Sequence, residues 1–265
     1  MDHCATPGIV VYSSFLNEKL IKTPPLRNPM KTIGLFGLAT LTAGALLGAD
    51  STAKDDVSKA AKALADKSYS WKTTVVVPEG TQFRPGPTEG KTEKDGPTWV
   101  SITFGDNTTQ AVIHGEKSAV TDRDGAWQSV SESENAEGPA RFRGAMVRNL
   151  AKPAVQAAEL AGQTKDLKKE GDVYSGELTE EGAKTLMRFR GGRGGGGGGP
   201  NILIAKGSVK FWVKDGLLQK YEHKVDGSMD FNGNEVEIKR TTTVEIKDVG
   251  TTKVAIPEGA KSKLN

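Results

Sequence analysis

GSVKFWVKDGLLQKYEHKV, residues 207–225, decides the fold. Over 207–214 Val209, Phe211 and Val213 fall on one face, with Lys210 and Lys214 on the other. That two-residue period is the mark of a half-buried β-strand. Asp215-Gly216 then supplies residues that tolerate positive φ, as a tight hairpin turn requires. The return over 217–225 sets Leu217, Tyr221 and Val225 opposite Lys220, Glu222 and Lys224. Asp226-Gly227 and Asn232-Gly233 read as further turns. A longer alternating run, 235–248, places Val236, Ile238, Val244 and Ile246 on one side, and Glu235, Glu237, Lys239, Glu245 and Lys247 on the other. One side is dry and the other wet, so the chain builds an antiparallel sheet with a single buried face that another layer must cover. Arg240 and Thr242 interrupt the apolar series. Because an unpaired buried guanidinium is costly, a bulge or edge position is expected at Arg240.

Outward from this stretch, composition sets the class. The 265 residues are 36% hydrophobic and 26% charged, as in a globular chain. Cys4 is the only cysteine and lies ahead of any expected folded region, which excludes disulfides and cysteine metal sites from the domain. Residues 1–29 carry Pro24-Pro25 and no sustained periodicity, and read as an upstream extension. From Met30-Lys31 an uncharged apolar stretch, 32–48, leads to Ala49-Asp50. A short basic region, an apolar core and small residues before a polar start describe an export signal cleaved after Ala49. A membrane anchor is the alternative, and the internal glycines with Gly48-Ala49 favour cleavage. The expected product is 50–265, exported to the periplasm or beyond a bacterial cell. Of the 36 basic and 33 acidic residues, that segment keeps 32 and 31, a net charge of +1. Charges so evenly interleaved give no footprint for nucleic acid.

Within 50–67, Val57, Ala60, Ala61 and Leu64 share a helical face. A strand is expected over 69–77, a Pro- and Gly-rich loop over 83–97, and a meander over 97–104, 108–114, 117–123 and 125–130. Met146, Val147, Leu150, Val155 and Ala158 recur at helical spacing on two segments divided by Pro153. A short strand over 173–178 precedes a helix over 180–188 that Thr179 can cap. Residues 191–200 are almost pure glycine, and read as a flexible loop. Two Arg-Gly-Gly units there fall short of a nucleic-acid tail.

The order of these parts resembles a known group. A first helix and a strand with Trp71 precede a Gly-Glu-Lys hairpin and Asp-Gly-Ala-Trp ending at Trp127. A helical middle, Val-Tyr-Ser-Gly-Glu-Leu (173–178), Asp-Gly-Leu-Leu-Gln-Lys (215–220) and Lys-Val-Ala-Ile-Pro (253–257) follow. The chain is similar to the bacterial LolA and LppX/LprG superfamily. The resemblance implies an α+β fold: a curved antiparallel half-barrel whose concave side holds helices and binds acyl chains or lipidated proteins. Members of the mycobacterial branch begin with a lipid-modified cysteine, which this chain lacks. It implies a monomer that meets membranes peripherally, and candidate ligand-facing residues Val209, Phe211, Val213, Leu217, Tyr221, Val225, Val236, Ile238, Val244 and Ile246.

Nothing in the sequence calls for catalysis or a cofactor. His114 and His223 stand in no HxH or HExxH pattern, no GxSxG elbow occurs, and Glu116, Asp122 and Asp124 follow a hairpin rhythm rather than a calcium loop. Trp71, Trp99, Trp127 and Trp212 all sit in expected strands and read as core or sheet cover. Two functions remain: a carrier of a hydrophobic ligand, and an envelope module that keeps the half-barrel with its cavity filled. An open apolar pocket favours the first, a close-packed interior the second.

Overall fold

The Asp215-Gly216 turn forms with both residues at positive φ, 52° and 72°. It joins β9 (Asn201–Lys214) to β10 (Leu217–Phe231), and β10 turns again into β11 (Asn234–Lys247). These three strands are the centre of the computed structural model, which describes residues 45–81, 85–188, 201–231 and 233–264. The remaining strands are β1 (Tyr69–Val76), β2 (Pro85–Thr92), β3 (Thr98–Phe104), β4 (Asn107–His114), β5 (Lys117–Thr121), β6 (Trp127–Ser129), β7 (Thr164–Glu170) and β8 (Val173–Leu178). All eleven form one open antiparallel sheet in the order β6-β5-β4-β3-β2-β1-β11-β10-β9-β8-β7. The helices are α1 (Ala45–Ala65), α2 (Val130–Asn135), α3 (Pro139–Arg148), α4 (Pro153–Gly162), α5 (Glu180–Met187) and α6 (Glu258–Lys261). The α+β class and the single open sheet are as expected.

Several expectations need correction. Of the loop expected over 83–97, 83 and 84 lie outside the described residues, and residues 85–92 are strand β2, which pairs with both β1 and β3. Its prolines fit because Pro85 opens the strand and the register shifts between Pro85 and Thr88, where a missing N–H disturbs the ladder least. Gly90 fits because it faces Trp71 across the β1–β2 pair, and a Cβ there would stand 2.0 Å from the Trp71 ring. Asp226-Gly227 is no turn, since β10 runs on to Phe231. Gly227 serves close approach instead, for a Cβ would lie 2.1 Å from the Ile204 carbonyl oxygen. Strand β9 starts at Asn201 rather than Gly207, the strand expected over 125–130 shortens to β6, and β7 and α2 were not foreseen. Residues 191–200 lie outside the described residues, as do 1–44.

Helix α1 buries Ala53, Val57, Ala60, Ala61 and Leu64, and α4 buries Ala154, Ala157, Leu160 and Ala161. The two pack together through these small faces and cover the inward side of the sheet with α5. In α4, Val155 falls on the exposed face, at 49%, because Pro153 in the first turn sets a phase that turns the alanines inward. Ser129 and Glu132 close a capping box at α2. Thr179 caps α5 by accepting from the Gly182 N–H at 3.1 Å. A second, smaller core lies on the other face, where Ala260 of α6 meets Val112, Ala119, Trp99 and Trp127.

Candidate functional site

The inward face of β9–β11 carries the residues proposed to face a ligand. Phe211 pairs with Tyr221, Tyr221 with Val244, and Val209 with His223, in unbroken antiparallel register. Val209, Phe211, Tyr221, Val225, Val244 and Ile246 are buried, and Phe211 and Tyr221 are wholly inaccessible. Val213 and Ile238 are half-buried. Leu217 points the other way: it pairs with Lys214, while Leu218 faces Val213. A register shift between Leu218 and Lys220 leaves Gln219 without a partner in the pairing, so Leu218 takes the inward place expected of Leu217. The alternation could not show this, because a bulge changes parity without changing composition.

At Arg240 the register with β10 is continuous, so no bulge forms there, but β1 pairs with β11 only as far as Thr241 and leaves Arg240 at an unpaired edge on that side, one of the two expected positions. Arg240 pairs with Val225 on the inward face, and its guanidinium donates to the carbonyl of Leu186 in the last turn of α5. Burial pulls its pKa down, and a carbonyl at a helix C-terminus is a fitting partner for the cation. His223 is buried next to Tyr221, the ring centroids 6.5 Å apart and the planes nearly parallel.

Three tyrosines of the sheet tie the helices down. Tyr221 donates to Gln156 Oε1 on α4 at 2.6 Å. Tyr69 accepts from the Ala154 N–H in the first turn of α4 at 3.4 Å, and burial pushes its phenol up to about 12. Tyr174 donates to Asp56 Oδ2 on α1 at 2.9 Å, and Lys169 reaches the same oxygen at 3.2 Å. The Tyr174 hydrogen bond, then Lys169, holds the Asp56 carboxyl below its ordinary pKa. Lys54 of α1 donates to the carbonyls of Thr164 and Lys165 at 2.9 and 3.1 Å. With polar ends satisfied in this way, the helices fill the face between them with apolar atoms.

Among the described residues the face is left uncovered at one end. The last turn of α5 sets Met187 against Gly227, and beyond it Ile202, Met229 and Val236 form the next inward row across β9, β10 and β11. Val236 is 41% exposed and Ile202 half-buried, whereas Met229 is buried. Ile202 and Met229 were not foreseen, since the strands were expected to begin and end short of them. The only signal for them was the apolar run 202–205 and the alternation of Met229 with Asp230.

On the outer face the pairings alternate in charge. Lys72–Glu89, Lys239–Asp226 and Lys247–Glu245 approach within 3.5–3.6 Å, and Lys220 lies 4.7 Å from the centre of the Trp212 ring. Two recesses of about 240 and 380 Å³ open among these polar residues, lined in part by Lys206, Ser208, Lys210, Lys224 and Glu177. Among the described residues no cluster of three or more His, Cys, Asp or Glu could hold a metal ion. None of the described helices is long and apolar enough to cross a membrane.

The strands and helices thus define an open antiparallel sheet with helices laid on its inward face. Solved structures to which the chain is similar include LprF from Mycobacterium bovis (14% identity, TM-score 0.42, covering 79% of this chain and 97% of that one) and the lipoprotein LppX from Mycobacterium tuberculosis (10%, 0.43, 78% and 100%). A LolA superfamily protein from Nitrosomonas europaea is another (10%, 0.30, 79% and 96%). At these identities and scores the likeness carries no argument, and the fold of this chain rests on its own strand order. No protein-family model matches the chain, and no curated protein does.

Proposed function

We propose that the chain is an exported, non-catalytic binding protein for a hydrophobic ligand, an acyl chain, lipid or lipidated protein. The ligand lies along the inward faces of β9–β11, entering at the end that α5 leaves open. The observation that carries the reading is the Ile202–Met229–Val236 row, an inward apolar surface continuous with the core and partly bare at Val236. Deeper entry needs the helices to yield, since Phe211 and Tyr221 are sealed beneath them. That sealing favours the second reading, an envelope module whose half-barrel is simply filled.

Binding of a fluorescent fatty acid separates the two. Val236→Asp puts a charge into the open row at a partly exposed site, so stability should change by no more than about 0.5 kcal/mol. Probe binding should fall sharply. Binding unchanged in Val236→Asp removes the proposed entry, and absence of binding by the wild-type protein leaves the filled module. Export itself is tested by N-terminal sequencing of secreted protein: the proposal expects Asp50 as the first residue, which would start the chain inside α1. Cytoplasmic protein that begins at Met1 contradicts it.

A further inference from the structure

We propose that Arg240 holds the carboxylate of an unesterified fatty acid whose chain lies along β11 over Val236 and Ile238. This inference rests on the reading of the inward face as a site for a hydrophobic ligand, and it assigns the ligand's polar end.

The two-residue period of β11 puts Val236, Ile238 and Arg240 on the inward side in successive rows. Val236 is 41% exposed, and Ile238 and Arg240 are half-buried. Strand β1 ends at Val76, opposite Thr241, so among the described residues no strand adjoins 234–240 on that side. On the other side Ile238 and Arg240 pair with Gly227 and Val225 of β10. The last turn of α5 forms a wall there, since a Cβ at Gly227 would meet Met187 Sδ at 3.0 Å. From Val236 to Arg240 the strip runs about 13 Å at the rise of an extended strand. It is apolar along its length and cationic at its inner end, which is the pattern of a fatty acid.

The guanidinium is short of negative charge. Among the described residues its partner is the Leu186 carbonyl, which takes one N–H of a group that has several. A helix C-terminus offers the equivalent of about half a charge. The carboxylates around it are engaged or turned away. On α5, Glu180 and Glu181 pair with Lys184 and Arg188 at 2.6 and 2.9 Å. Asp226 follows Val225 but belongs to the outer face, where it meets Lys239 at 3.5 Å. Glu235 and Glu237 alternate with Val236 and share that outer side. Burial lowers the Arg240 pKa, with no carboxylate among the described residues to raise it. A half-buried cation with donors to spare is stabilised by an anion that forks onto it. One guanidinium balances the single charge of a carboxylate, whereas a phosphate monoester brings about 1.5–2.

The test is calorimetric titration of the purified protein with dodecanoate, dodecanol and dodecyl phosphate, each kept below the concentration at which it self-assembles. Wild-type protein should bind dodecanoate about tenfold or more tighter than dodecanol, and dodecyl phosphate no tighter than dodecanoate. Arg240→Gln keeps a donor for the Leu186 carbonyl and removes the charge, so the ratio of acid to alcohol affinity should fall to about one. Arg240→Lys should restore part of the preference. The wild-type ratio is decisive whether or not the variants fold. Equal affinity for acid and alcohol overturns the assignment and leaves the hydrophobic-ligand reading in place. A preference for the acid that survives in Arg240→Gln, or a tighter fit of dodecyl phosphate, overturns it as well. Binding of none of the three overturns both readings.

Discussion

Gly90→Ala is a small change with a large expected effect, because strand β2 exists only by leaving room for an indole. The Trp71 side chain is buried at 5% exposure and lies against Gly90, its cross-strand partner. A Cβ on residue 90 would stand 2.0, 2.3 and 2.4 Å from Cζ2, Cε2 and Cη2 of that ring. Those atoms belong to a rigid plane, which also meets Tyr69 at a centroid distance of 5.8 Å, so the ring cannot bend away at its tip. Overpacking of this kind costs about 1–3 kcal/mol. The loss of chain entropy in the unfolded state returns about 0.4–1 kcal/mol. The net expectation is a loss of about 0–2.6 kcal/mol, or a Tm lower by up to roughly 10 °C for a domain of this size. Urea denaturation of Gly90→Ala, Trp71→Leu and the double variant measures it. The double variant should be more stable than the sum of the two single losses implies, since the smaller side chain vacates the space the Cβ needs. A Gly90→Ala protein more stable than wild type, or strictly additive losses, would refute the account of β2.

Other expectations follow from the same contacts. Asp56 has a folded-state pKa below its unfolded value, so its contribution is present above about pH 4 and is lost as pH falls through the folded pKa. The stability gap between wild type and Asp56→Asn should therefore narrow on acidification below about pH 4; a gap constant with pH removes the assigned ion pair. Phe211→Ala should cost about 3–5 kcal/mol by leaving a cavity at an inaccessible core site, and a loss under about 1 kcal/mol would mean the face is not packed as described. Deletion of residues 257–264 uncovers Trp99 and Trp127 from α6, so tryptophan emission should shift to the red with new binding of an apolar dye. Unchanged emission would place those indoles elsewhere.

The sheet was legible where alternation met turn chemistry. Asp215-Gly216 set the β9–β10 register, and the pattern of Val209, Phe211, Tyr221, Val225, Val244 and Ile246 chose the buried face. Legibility failed where tertiary packing reversed a local preference. Pro85, Gly86, Pro87 and Gly90 argue for a loop until Trp71 is seen filling the space a side chain would need. Gly227 argues for a turn until the Ile204 carbonyl is seen pressed against it. The bulge at Gln219 exchanged Leu217 for Leu218, two residues that periodicity cannot tell apart. Arg240 was expected at a bulge or an edge, and β1 does stop short of it, while the carbonyl it meets at the α5 C-terminus lies 54 residues away and could not be read from the strand. The open end of the site was illegible for a related reason: it depends on where α5 stops relative to β9–β11, a distance in space and not in sequence.

Native mass spectrometry of the protein purified from its own host tests the central claim most directly. The account predicts an added mass in the range of an acyl chain or lipid that is released on denaturation and is lost in Val236→Asp. A bare polypeptide mass, in protein that also fails to take up a fluorescent fatty acid, contradicts it.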